Sequence, residues 1–132
     1  MILKNHPWQY HYMISISSNG TLYFDPKVQN YIRKHIHHLS FSISVDGNKQ
    51  LHDACRIFPD GSGSYDKAIA AVHHFRDYYN GFMGSKMTIS PDNVMYISDA
   101  LKSLITEGYT EINLNCIYEK GWEEKHATIL YY

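Results

Sequence analysis

Between Ser44 and Arg56 the sequence SVDGNKQLHDACR carries a hydroxyl, two carboxylates, an imidazole and a guanidinium. A guanidinium can hold a carboxylate through a planar two-pronged hydrogen bond, so Arg56 is a candidate for binding an acidic ligand. His52 beside Asp53 has the makings of an acid–base pair. The same two residues could instead organise the loop that carries Arg56. Ser44 offers a single hydroxyl, a bond with a net worth of about 1 kcal/mol, which tunes binding and does not create it. Asp46 either faces a substrate or caps the turn at Asp46-Gly47.

Other chemistry-bearing residues lack the spacing to match. His35, His37 and His38 cluster, and His73 and His74 adjoin, but no His-Glu-x-x-His pattern supports a zinc site, and no metal ligand is assigned. Gly61-Ser62-Gly63-Ser64 lacks the Gly-Lys-Ser/Thr ending of a nucleotide loop, and Ser64 reads as a helix N-cap before Tyr65-Asp66.

The elements that position these residues follow from periodicity. Tyr12–Ser17, Phe41–Val45, Lys86–Ser90 and Glu111–Tyr118 alternate with period two, as strands do. Three helical patterns separate them. The first begins at Asp25-Pro26, with Asp25 as cap and Pro26 where its missing N–H costs nothing. The second runs from about Ser64 to Tyr79 and stops at Asn80-Gly81. The third is predicted to start at Ser90-Pro91, with Val94, Ile97, Leu101, Leu104 and Ile105 as its apolar stripe and Gly108 at its end.

The order β-α-β-α-β-α-β implies right-handed crossovers and a parallel sheet. Strands of a doubly wound sheet are apolar on both faces because helices cover both. Here the second faces are Ser15 and Ser17, Ser42 and Ser44, Thr88 and Ser90, Asn113 and Asn115. The expected fold is therefore α/β, a fragment of a partial βα barrel of the TIM-like kind, with helices outside and a polar concave side. Function in such a barrel sits at the carboxyl ends of the strands. Those ends hold Ser17 with Asn19-Gly20, Ser44 to Gly47, Ser90, and Ile117 to Glu119.

Composition bounds the rest. The 132 residues fit a single domain, 1–132, and 44% hydrophobic content can supply a core. A net charge of −1 provides no field to hold nucleic acid or an anionic membrane. No apolar run nears the roughly 20 residues that span a bilayer, and MILKNHPWQY lacks the apolar stretch of a signal peptide. Cys55 and Cys116 are too few for a disulfide scaffold, so a cytoplasmic protein with free thiols is expected.

The stretch SISVDGNKQLHDACR, followed by DGSGSYDKAI, resembles the fourth strand and the following loop and helix of radical S-adenosylmethionine enzymes. The branch is the peptide- and protein-modifying one, which includes anaerobic sulfatase maturases. ISISSNGT resembles the third strand with its Asn-Gly turn, MTISPDNV the fifth strand and INLNCIYEKGW the sixth. The resemblance implies S-adenosylmethionine and a 4Fe–4S cluster in the parent enzyme, with a peptide or protein substrate that loses hydrogen to a deoxyadenosyl radical. It implies Ser44 at the ribose, Arg56 near the methionine carboxylate and Ile117 against adenine, with Ser17 and Asn19 completing the cofactor side. Asp46, Asn115 and Glu119 would face substrate.

The family's Cys-x-x-x-Cys-x-x-Cys motif and its Gly-Gly-Glu stretch are missing. Cys55 and Cys116 lie 61 residues apart, and three thiolates are needed to hold such a cluster with one iron open. The chain is expected to be a fragment spanning strands three to six, inactive alone and with no cofactor bound. Its cut barrel edge would favour self-association. Two other readings stay open. One is a non-enzymatic α/β module binding a nucleoside or peptide in the polar groove. The other is a different barrel enzyme using His52 and Asp53.

Overall fold

The computed structural model describes residues 11–119 and 121–131. The amino-terminal stretch read above for a leader lies outside them, as does Lys120. Four strands, β1 (Ile14–Ser18), β2 (Leu39–Ile43), β3 (Gly84–Ile89) and β4 (Glu111–Cys116), form one sheet in the order β1-β2-β3-β4. Every pairing is parallel. Helices α1 (Pro26–His35), α3 (Tyr65–Tyr79) and α4 (Ile97–Thr106) connect them, with a short α2 (Lys49–Asp53) after β2 and α5 (Glu124–Tyr131) after β4. This is the α/β, partial-barrel arrangement expected from the alternation.

The two faces of the sheet divide as their residues dictate. Leu39, Phe41, Ile43 and Val45 are buried, as are Met87 and Ile89. They meet Ile32 of α1, Ala68, Ile69, Val72 and Phe75 of α3, and Ala100 and Leu104 of α4 in one core. Each such large side chain contributes roughly 1.5–3 kcal/mol by leaving water. On the other face, Ser17 sits beside Ser42, Ser42 beside Gly84, Lys86 beside Asn113 and Thr88 beside Asn115. A small cavity of about 110 Å³ on that face is lined in part by Ser15, Ser42, Lys86, Glu111 and Asn113.

The helix ends show where local signals held. Asp25 caps α1, its Oδ1 accepting from Lys27 N at 2.8 Å. Arg33, Lys34 and His35 fill its last turn, where the helix dipole favours positive charge. Asn80 ends α3 in the left-handed region, φ 48°. Gly108 follows α4 at φ 90°, and Tyr109 N–H reaches back to Leu104 O.

Two expectations are corrected. The third helix does not begin at Ser90-Pro91. Asn93 turns back on the strand exit, its Oδ1 accepting from Ser90 N at 2.8 Å and its Nδ2 donating to Thr88 O at 3.1 Å. A 3₁₀ turn over Val94–Tyr96 follows, and regular α-helix starts only at Ile97. Ser64 stands at the cap position of α3, but its hydroxyl makes no cap bond. Asp53 does that work, Oδ1 accepting from Tyr65 N at 2.9 Å.

Between β2 and β3 the ladder opens toward its carboxyl end, and only Ser42 and Gly84 pair. Side chains complete it. Tyr109 Oη donates to Ile43 O at 3.0 Å, and Ser85 Oγ donates to Val45 O at 3.0 Å. The next backbone donor, Thr88 N–H, goes to Asp46 Oδ1 at 2.8 Å. Buried backbone groups need partners, and here a phenol, a hydroxyl and a carboxylate supply them. The split is what draws Asp46 into the sheet.

Candidate functional site

Asp46 follows β2 and is 4% exposed. Gly47 comes next at φ 104°, bringing the backbone against Ala100 and turning the chain out of the strand. Asn48 caps α2, its Oδ1 accepting from Leu51 N at 3.0 Å. Five helical residues later the chain has come back, and Arg56 lies beside Asp46. Arg56 Nε donates to Asp46 Oδ2 at 2.5 Å, and Nη2 donates to Oδ1 at 3.1 Å. Nη2 also approaches Thr88 Oγ1 at 3.4 Å. Nη1 takes no part in these bonds, and the Arg56 side chain is 28% exposed.

The loop between Asp46 and Arg56 is organised by the pair read from sequence as acid and base. His52 is 1% exposed. Its Nδ1 accepts from Asp46 N–H at 3.3 Å, and its Nε2 meets Ser64 Oγ at 3.0 Å. Ser64 Oγ donates in turn to Arg56 O at 2.8 Å. Burial pushes the imidazole below its ordinary value of 6.5, against the pull of the Asp46 carboxylate. Burial also works to raise Asp53, but its bond from Tyr65 N–H and the ion pair with Lys49 outweigh that and hold its carboxyl low. Neither side chain is set out to meet a ligand.

The other site residues fall into three groups. Ser44 lies two positions before Asp46 on the concave face, half-buried, and its backbone N–H donates to Ser18 O. Ile117 continues the concave face of β4 past Asn115, half-buried, with its N–H on Ile89 O. Asn115 is exposed beside Thr88 in the register. These three share a face and an end of the sheet with Arg56. Ser17 and Asn19 lie at the end of β1, one strand further out. Ser17 Oγ is 2.6 Å from Ser42 Oγ, and Asn19 Oδ1 is taken by Thr21 N–H and Oγ1. Glu119 is exposed and accepts from its neighbour Tyr118 N–H. Asp46, expected to face substrate, instead spends both oxygens on Arg56 and Thr88.

Sequence reasoning missed Thr88, Ser64 and Ser85 as supports of this corner. Ser85 carried a signal, because it is a polar residue in step with the apolar Met87 and Ile89. Among the described residues no three His, Cys, Asp or Glu side chains converge as metal ligands, and both cysteines are exposed thiols. His73 bonds Glu107 at 2.8 Å and His74 bonds Tyr23 Oη at 2.9 Å, which accounts for that pair without a metal. No helix among the described residues is long and apolar enough to cross a membrane.

No protein-family model matches the sequence, and no curated protein matches it. Solved structures do. Native anSMEcpe, an anaerobic sulfatase-maturating enzyme, superposes with a TM-score of 0.77 at 17% identity, in a structure with bound AdoMet and the Cp18Cys peptide. The fold is that of one part of this radical S-adenosylmethionine enzyme. The match covers 97% of this chain and 37% of that one. Two further structures of the same enzyme, one with AdoMet and the Kp18Cys peptide and one His-tagged with AdoMet, give TM-scores of 0.73 and 0.74. The chain spans about a third of the maturase's length.

Proposed function

We propose that the carboxyl-end mouth of the sheet binds S-adenosylmethionine as part of a radical S-adenosylmethionine enzyme acting on a peptide or protein. The observation that carries this reading is the placement of Arg56. Its guanidinium is held by Asp46 at the mouth of a parallel sheet, with the Ser44 hydroxyl two residues back on the same face. Structures of anSMEcpe, which shares this fold over part of its length, hold AdoMet and a peptide, which supports the ligand class.

In this reading Ser44 meets the ribose and Ile117 the adenine. Ser17 and Asn19 line the far side, and Asn115 and Glu119 face the peptide. Asp46 positions Arg56. It also neutralises much of the guanidinium charge, so Nη1 engages the methionine carboxylate by hydrogen-bond geometry more than by net charge. These 132 residues do not fit the 4Fe–4S cluster: two cysteines 61 residues apart cannot supply its three thiolates. No radical step is assigned to them, and the chain alone is inactive in this account.

A titration against S-adenosylmethionine and 5′-methylthioadenosine tests the reading. The second compound has the nucleoside but no amino-acid arm. The chain should prefer S-adenosylmethionine about fivefold, the worth of about one hydrogen bond. Arg56→Ala should erase the preference and leave methylthioadenosine binding unchanged. Equal affinity for both compounds would favour a nucleoside-binding module. No binding of either would reject the site.

A further inference from the structure

We propose that His52 is a positioning residue for Arg56, and that it works only as the neutral imidazole with its proton on Nε2. This deepens the reading above and rests on it for the identity of the carboxylate ligand. The contacts form a closed ring. Asp46 N–H donates to His52 Nδ1, which fixes that nitrogen as an acceptor. The proton of a neutral ring is then on Nε2, where it donates to Ser64 Oγ. Ser64 spends its own proton on Arg56 O. The Arg56 side chain returns to the Asp46 carboxylate through Nε and Nη2.

One ring therefore fixes Arg56 twice. Its backbone is tied through Ser64, and its guanidinium through the residue whose N–H the imidazole holds. A second proton on His52 would set Nδ1–H against Asp46 N–H, donor against donor, and open the ring at the strand exit. The neutral form is favoured by burial and by the Arg56 and Lys49 charges, and opposed by the carboxylates of Asp46 and Asp53. From α3, Tyr65 meets the imidazole edge-on, with ring centres 5.7 Å apart. Burial wins, so the ring is intact at neutral pH. It opens as pH falls below 6.5, through the lowered value of the buried group.

The test reads Arg56 directly, whether or not a ligand binds. In ¹⁵N NMR of the chain, His52 Nδ1 should report an unprotonated acceptor and Nε2 a protonated nitrogen at pH 7. The Arg56 Nε–H signal should be protected from exchange at pH 7 and lose protection about tenfold as His52 titrates. In His52→Gln that transition should vanish. Ser64→Ala breaks a single link, and serves if His52→Gln does not fold. It should speed Arg56 Nε–H exchange about tenfold at pH 7 and cut any preference for S-adenosylmethionine over its decarboxylated analogue. The opposite tautomer, or Arg56 protection unmoved by acid and by Ser64→Ala, would overturn the proposal. Lack of ligand binding with the Arg56 signal behaving as stated would reject only the ligand.

Discussion

Gly47→Ala is expected to destabilise the chain by about 3–5 kcal/mol, through backbone strain and overpacking together. Gly47 sits at φ 104°, a conformation that side chains rarely adopt. A Cβ built there lies 2.6 Å from Ala100 Cβ and 2.9 Å from Ala100 Cα. The second contact is to the backbone of α4, which cannot swing aside as a side-chain tip can. Relief requires α4 to move off the sheet, taking Leu104 and Ala100 out of the core. Thermal unfolding should show a drop in Tm of roughly 10–20 °C for a domain of this size. Gly61→Ala is the control. It shares a positive φ, 85°, but has nothing within 4 Å of the added carbon. It should cost about 1 kcal/mol, the strain alone. Equal losses at the two positions would mean that the approach of α4 to the exit of β2 is not as described.

Asp46→Ala should cost about 3–5 kcal/mol, because it removes one half of a largely buried ion pair and leaves the other. It would strip Thr88 N–H of its acceptor in the gap between β2 and β3, and Arg56 of both its bonds to the carboxylate. Asp46→Asn separates the two roles. An amide oxygen can still accept from Thr88 N–H although its nitrogen faces Arg56 Nε–H, so this variant should lose less than Asp46→Ala by about 1–2 kcal/mol, the worth of the bond kept. Urea unfolding of the two variants measures the difference. If Asp46→Ala were as stable as the parent, the carboxylate would not be bridging the strands.

The elements were legible where a single local rule operated. Alternation located all four strands, and the unusual row of serines and asparagines on their second faces separated a one-sided sheet from a doubly wound one. Asp25-Pro26 and Asn80-Gly81 fixed helix ends through local hydrogen bonding and left-handed backbone. The start of α4 was misplaced because Ser90-Pro91 looks like a cap, while Asn93 competes for the same backbone groups. Neither α2 nor α5 was anticipated. KQLHD is too short to show a helical period, and in EKHATILY the only buried residue is His126, so no apolar stripe marks it.

The site was legible as a set of residues but not as a circuit. Arg56 and Asp46 are ten positions apart, and no periodicity pairs them; the turn at Gly47 and the five residues of α2 do. Ser64 was assigned to its own helix because serine before a helix usually caps it. It is diverted here because His52 and Arg56 O are within reach and Asp53 supplies the cap. Asp46 was read as facing substrate or capping its turn because the gap between β2 and β3 depends on Tyr109 and Ser85. Their reach across strands cannot be seen in either segment alone.

The central claim is that the polar mouth around Arg56 is where this chain meets its ligand. The most direct test is an amide shift map of the chain titrated with millimolar S-adenosylmethionine, a concentration suited to a site that lacks the cluster's share of the binding energy. The account predicts saturable shifts at Ser44, Arg56, Thr88 and Ile117, with Arg33 of α1 and Asp77 of α3 unmoved on the outer side. Shifts confined to the exposed loop around Asp60, or none that saturate, would contradict it.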